Sequence, residues 1–153
     1  FIWTSRYLDR HGYYHYEISN FARGPEFMSR HNRKYWRHVP YLGLGPSAHS
    51  FQTGSRWWNV RSIKKYCRLL SEDMLPVEAS EDLSRDQLNL ESLSLGLRTS
   101  DGVDLNEHGE GCKTDKVLKE LLNCGLVKVS NGRMQPTRRG LLVADSLPLM
   151  LQC

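Results

Sequence analysis

Residues 31–36 read HNRKYW. An imidazole, a carboxamide, two aromatic rings and two cations therefore follow one another with no break. Imidazole nitrogen is a metal ligand, aromatic faces stack on flat ligands, and guanidinium groups pair with carboxylates. On a helix, side chains four apart share a face. His31 would stand over Tyr35, with Phe27 a turn below and His38 seven positions on, while Asn32 and Trp36 form a neighbouring pair. Arg30, Arg33, Lys34 and Arg37 distribute cations around the remainder. A planar, apolar dianion such as a porphyrin suits that set of groups. An amphipathic helix with a solvated basic face and a buried histidine accounts for the same residues.

Other stretches carry weaker chemistry. In GLGPSAHSF, residues 43–51, Gly43 and Gly45 let a ligand approach the backbone, or make a plain tight turn. RWWN, residues 56–59, either packs a hairpin on the core or lines an aromatic pocket. His31, His38 and His49 form a metal site only if the loop at 45–50 folds beside the helix. The cysteines at 67, 112, 124 and 153 match no metal-binding spacing and read as free thiols of a reducing compartment.

The elements that must position these groups fall into two segments. SRYLDRHGY reads as a helix end stopped at Gly12, and YYHYEIS alternates as a strand does. NFARG reads as a loop. Pro25 then opens a helix over EFMSRHNRKYWRH that Pro40 ends, and YLGLG is a short strand entering the Gly/Pro/Ser loop. Strand, helix, strand is the order of an α/β unit with a parallel sheet. RSIKKYCRLLSED is an amphipathic helix with Ile63, Tyr66, Cys67 and Leu70 on one face, and MLPVEASED is the linker after it.

The second segment is predicted to be helix, helix, hairpin, helix. LSRDQLNLESLSLGLRTSDGV is mostly helical up to the turn Ser100-Asp101-Gly102, and VDLNEHGEG is short and turn-rich. TDKVLKELLNCGLV is opened by Thr114 or Asp115 and closed by Gly125. VKVSNGRMQP turns at Asn131-Gly132, and TRRGLLVADSLPLML is a last helix capped by Thr137. This is the order of a winged-helix module, and such modules often bind DNA. DNA binding needs a basic surface.

Charge divides along the same boundary. Residues 1–79 hold 12 Lys/Arg against 6 Asp/Glu, net +6, and residues 80–153 hold 9 against 11, net −2. The acidic balance of the second segment speaks against nucleic acid as its partner. A hydrophobic share of 39 % with 25 % charged residues marks a folded protein, and no apolar run is long enough to span a membrane. The chain opens FIWTSRYLDRHG, without initiator Met or a basic-then-apolar leader, and reads as a cytoplasmic piece of a longer polypeptide.

Taken in order, YYHYEISNFA, HNRKYW, YLGLGPSAHSF, RWWN, SLGLRTSDGVDL, LLNCGLVKV and PTRRGLLVADS resemble the C-terminal part of the oxygen-independent coproporphyrinogen-III-oxidase-like radical SAM family, HemN/HemW type. The H-N-x-x-Y-W box is similar to the heme-chaperone branch. The resemblance implies a fold of α/β plus α+β class: the last part of a partial TIM-like barrel over 1–60, a connecting helix and linker over 61–80, and a winged-helix-like domain over 81–153. It implies heme or porphyrin contact at His31, Asn32, Tyr35 and Trp36, with His31 toward iron. It also implies that Gly43, Gly45 and Ala48 form a wall of an S-adenosylmethionine or substrate pocket. Family members carry a [4Fe–4S] cluster on C-x-x-x-C-x-x-C, and that triplet is absent from these residues, so radical catalysis is not expected of them alone. The implied partners are heme or porphyrin and the N-terminal half of the barrel, with self-association of exposed strand edges in its absence.

Overall fold

The computed structural model describes residues 1–108 and 112–151, with backbone only for residues 108 and 112–114. In chain order it contains helix α1 (Ile2–Arg10), strands β1 (Tyr14–Glu17) and β2 (Asn20–Ala22), a 3₁₀ turn (Pro25–Phe27) and helix α2 (Arg30–Trp36). Strands β3 (His49–Gln52) and β4 (Ser55–Asn59), helix α3 (Ile63–Ser71), strand β5 (Val77–Asp82) and helix α4 (Arg85–Gly96) follow. Then come β6 (Val103–Asp104), α5 (Leu105–His108), α6 (Cys112–Asn123), β7 (Val127–Ser130), β8 (Arg133–Pro136), α7 (Arg138–Leu141) and α8 (Leu147–Leu151). The chain divides into two compact units, Phe1–Arg37 with Asn89–Cys153, and His38–Leu88.

The first unit holds the larger apolar core. Leu93, Leu97, Val103, Leu121, Val127, Met134 and Leu147 form one buried cluster. Each such side chain contributes about 1.5–3 kcal/mol when fully buried. They come from α4 and the residue that follows it, from α6 and α8, and from a three-stranded antiparallel sheet ordered β6-β8-β7. The β7–β8 turn is Asn131-Gly132 with φ of 52° and 72°, the left-handed pair that a two-residue hairpin requires. At the other end of the chain, β1 and β2 form an antiparallel hairpin. Ser5, fully buried, joins this end to α7: its Oγ lies 3.0 Å from His15 Nδ1 and accepts from Arg138 Nε at 2.9 Å.

The second unit is a three-stranded antiparallel sheet ordered β3-β4-β5, carrying α3, which Ser62 caps by accepting from Lys65 N. Its interior contains Phe51 and Val60 beside two buried polar residues, Ser50 and Asn59.

Several elements differ from the sequence-based expectation. The parallel sheet is not formed: every strand ladder among the described residues is antiparallel. NFARG is not a loop, since Asn20–Ala22 pairs with β1. The buried Glu17 carboxylate accepts from Ser19 N and from Asn20 Nδ2, which turns the chain back on itself. The long helix over 26–38 is replaced by a 3₁₀ turn and the seven-residue α2, because Met28 is extended with ψ of 138° and Ser29 caps afresh. YLGLG contributes one bridge, Tyr41 to Phe51, rather than a strand. The linker at 74–82 is largely β5, recruited by backbone pairing with β4 although all six of its residues are exposed. The last helix is broken into α7 and α8, for Pro148 supplies no N–H to continue it. Helix α6 begins at Cys112, ahead of Thr114 and Asp115. Cys67 and Cys124 are exposed free thiols, whereas the Cys112 side chain, Cys153 and the end of the turn-rich stretch at 109–111 lie outside the described residues.

Candidate functional site

Helix α2 is short and held at both ends. Ser29 Oγ accepts from Asn32 N at 3.2 Å, and Ser29 N donates to the hydroxyl of buried Tyr16 at 3.2 Å. After Arg37 the chain enters the left-handed region at His38, with φ of 54°, and Pro40 follows. A residue that precedes proline disfavours helical backbone, so Val39 gives the helix no continuation.

The two faces of α2 differ. His31 is exposed, and its ring meets Tyr35 edge-on, with centroids 5.0 Å apart at 73°. Phe27, 68 % exposed, precedes this outer face. The inner face carries Arg33, Trp36 and Arg37, which line a cavity of ≈ 550 Å³. Across the cavity from α2 are Gly96, Thr99, Asp101, Gly102 and Arg133, contributed by the end of α4, the loop after it and β8. The expected stripe of Phe27, His31, Tyr35 and His38 is cut at its last member, because His38 has left the helix and stacks on Phe51 at 4.5 Å.

The inner face is held by residues that sequence spacing did not single out. Arg37 Nη2 donates to Asp101 Oδ2 at 3.0 Å, and Arg33 Nη2 lies 4.0 Å from the same oxygen. The Arg98 guanidinium sits 5.9 Å from the centre of the Trp36 ring. Arg98 is itself paired with Asp145. Arg133 donates through Nε to Asp101 O and through Nη2 to Gly102 O, both at 2.8 Å. The indole Nε1 of Trp36 is buried and has no hydrogen-bond partner among the described residues. Ser100-Asp101-Gly102 was legible as a turn, but its pairing with a helix some sixty positions earlier has no local signature.

Gly43, Gly45 and Ala48 belong to the other unit. A side chain at Gly43 would collide with the carbonyl oxygen of His49, 2.1 Å from an added Cβ. Gly45 has φ of 108°, with open space where a Cβ would point. Their polar backbone is largely engaged inside the unit. Asn59 Nδ2 donates to Gly43 O at 3.3 Å and to Gly45 O at 2.9 Å. Gly43 N donates to Ser50 Oγ and Gly45 N to Tyr66 Oη, each at 3.0 Å. Packing and backbone conformation thus account for both glycines without a ligand. RWWN forms most of β4, the middle strand, with Trp58 stacked on His49 at 5.7 Å. No group of three metal-ligating side chains occurs among the described residues. The same observation, with Cys67 and Cys124 as isolated thiols, means that these residues do not fit an iron–sulfur cluster.

Residues 83–143 match the family model described as the HemN C-terminal domain. The chain is 34 % identical over 146 residues to the heme chaperone HemW of Bacillus subtilis, covering 92 % of this chain and 38 % of that protein. HemW of Mycobacterium tuberculosis is 35 % identical over 142 residues, covering 92 % of this chain and 35 % of the relative. The bovine mitochondrial radical S-adenosyl methionine domain-containing protein 1 is 32 % identical over 158 residues, again covering 92 % of this chain and 35 % of the relative. Among solved structures, coproporphyrinogen III oxidase (HemN) from Escherichia coli, described as a radical SAM enzyme, superposes with a TM-score of 0.69 at 20 % identity. That superposition covers 98 % of this chain and 39 % of HemN, and it shows a mixed α/β fold shared with that enzyme. The chain spans little more than a third of the length of the curated relatives it matches.

Proposed function

Because this chain belongs to the HemN/HemW-type radical SAM family, whose C-terminal part it matches, we propose that it handles heme, with His31 as an axial ligand to the iron. The supporting observation is the exposed imidazole on the outer face of α2, inside an H-N-x-x-Y-W box on a chain similar to heme chaperones. Neutral imidazole is a common axial ligand of heme iron. Tyr35, edge-on to His31, flanks the approaching macrocycle, and Asn32, whose backbone N–H is held by the Ser29 cap, lies beside the imidazole in the first turn. Trp36 serves from the inner face. Heme here is cargo, and no reaction step is assigned to it.

Within the same proposal, the full protein carries the [4Fe–4S] cluster and S-adenosylmethionine on the part that holds the cysteine triplet, and radical chemistry belongs there. Coproporphyrinogen oxidation by such a full protein is the alternative to heme delivery, and assay of the longer polypeptide on coproporphyrinogen separates the two. The barrel-derived segment at 1–60, the connection at 61–80, the winged-helix-like domain at 81–153 and a pocket wall at Gly43, Gly45 and Ala48 complete the reading. So do a cytoplasmic location, contact with an N-terminal barrel half and association between copies when that half is missing. Among the described residues no helix is long and apolar enough to cross a membrane. The nucleic-acid alternative is set aside, since the relatives named above are heme and radical SAM proteins.

The experiment is a hemin titration followed in the Soret region. Wild type is expected to shift the band saturably, and His31→Ala to lose that shift while keeping its circular dichroism. A wild-type spectrum identical to that of free hemin defeats the proposal.

A further inference from the structure

We propose that Ser5, His15 and Arg138 form a pH-sensitive latch, which fastens α1 to α7 while the imidazole is neutral and loosens that joint when the ring is protonated. The latch involves neither α2 nor heme. Helix α7 lies within residues 83–143, which match the C-terminal domain family, and α1 lies outside them. Acid thus loosens the joint between that domain and the segment ahead of it.

The direction of each hydrogen bond follows from what its partners can do. Arg138 Nε only donates, and it does so to Ser5 Oγ at 2.9 Å. Ile18 O only accepts, so His15 Nε2, 3.4 Å away, carries a proton. In the neutral ring Nδ1 is then bare, and it accepts the Ser5 hydroxyl proton at 3.0 Å. The relay therefore runs from α7 through α1 to β1 and the turn after it. Ser5 is fully buried, so water does not replace a partner lost while α1 stays packed.

Protonation disrupts the middle of the relay. Nδ1–H would face an oxygen that already accepts from a guanidinium, and two cations would share one hydroxyl. The charged groups that face the ring are Arg138 from α7 and Glu17 from β1. Glu17 favours the imidazolium, but its carboxylate is engaged by Ser19 N and Asn20 Nδ2. Asp9, on α1, pairs with Arg138 Nη2 at 2.5 Å. Strand β2 presents only the Phe21 ring, stacked on the imidazole at 4.1 Å, and Phe1 lies at 5.4 Å. Burial, and after it Arg138, hold the His15 pKa below 6.5. A ring that takes its proton more readily when freed favours opening as pH falls below 6.5. The neighbours keep other anchors. Ile18 N donates to Arg98 O and Ser100 N to Tyr16 O, both at 3.0 Å, and Thr137 Oγ1 fixes α7 by donating to Gly125 O at 2.7 Å. Opening is accordingly centred on α1.

The test is hydrogen–deuterium exchange of the whole chain, read as protection factors at pH 7.5 and pH 5. The α1 amides are expected to be less protected than those of α4 at both pH values, the mark of a local opening. They are expected to lose about a further fivefold at pH 5, the worth of roughly one hydrogen bond. His15→Gln keeps a donor and an acceptor but gains no charge, and is expected to abolish that loss. Ser5→Ala is expected to lower α1 protection about fivefold already at pH 7.5. Should a variant fail to fold, the wild-type imidazole resonances of His15 decide by NMR, with a titration midpoint expected below 6.5. Protection of α1 equal to that of α4, no change with pH, a change that persists in His15→Gln, or a midpoint at or above 6.5 overturns the proposal.

Discussion

In the unit formed by Phe1–Arg37 and Asn89–Cys153, Leu97 and Leu147 are 0 % exposed and Met134 1 %, all in one cluster. In His38–Leu88, Leu44 is 82 % exposed, Leu75 83 % and Ile63 70 %. The first unit is held chiefly by apolar burial, which is worth about 25 cal/mol per Å². The second relies on strand ladders and on polar side chains, Ser50 and Asn59, that grip its glycine loop. Net contributions of such hydrogen bonds are smaller, about 0.5–1.5 kcal/mol each. The difference shows that large apolar residues do not by themselves locate a core, because the amphipathic face of α3 is as regular as any in the chain and stays open.

Truncation in the two units gives the sharpest contrast. Leu97→Ala is expected to cost about 2–5 kcal/mol of unfolding free energy through lost burial and a cavity, whereas Leu75→Ala stays within about 0.5 kcal/mol. Urea unfolding of both variants checks this, and similar midpoints would erase the contrast between the units.

A smaller effect follows in the second unit. Asn59→Ala is expected to cost about 1–3 kcal/mol, since it removes the side-chain donor to Gly43 O and leaves Gly45 O with the Ala48 N–H alone. Faster amide exchange in the glycine loop and along β3 and β4 would accompany it. Unchanged exchange there would show that the ladders alone hold the unit.

The smallest is a pH effect confined to the first unit. Burial lowers the pKa of His15 from 6.5, an effect reinforced by Arg138 and opposed by its hydrogen bond to Ile18 O and by Glu17. Between that lowered value and 6.5 the unfolded chain binds more protons than the folded one, so stability rises with pH. The contribution is complete above 6.5 and is lost as pH falls through the folded pKa. His15→Gln is expected to flatten this dependence, measured as unfolding midpoints between pH 7.5 and 5. A slope as steep as wild type would assign the effect to other groups.

Much of the first unit was legible because its signals are local. The stop at Gly12, the helices at 85–96 and 112–123, and the Asn131-Gly132 hairpin follow from periodicity and turn chemistry that need no distant partner. Strands β2 and β5 escaped because Asn20–Ala22 is too short for a pattern and Val77–Asp82 is exposed throughout. Their extended state comes from the neighbour they pair with. The candidate site divides the same way. Helical spacing brought His31 and Tyr35 together, while Arg98, Asp101 and Arg133 carried no signal pointing back to α2.

The sequence by itself determined which side chains can reach a metal, a flat ring or a carboxylate, and the order of most helices and of one hairpin, since these depend on residue type and on neighbours within a few positions. Only the tertiary structure decided that the HNRKYW helix is a single short segment with unlike faces, His31 outward and Trp36 inward. It also decided that the glycine loop's own backbone is bound up by Asn59, Ser50 and Tyr66. Both outcomes turn on contacts between residues far apart in the chain, which arise only when the surrounding backbone has folded.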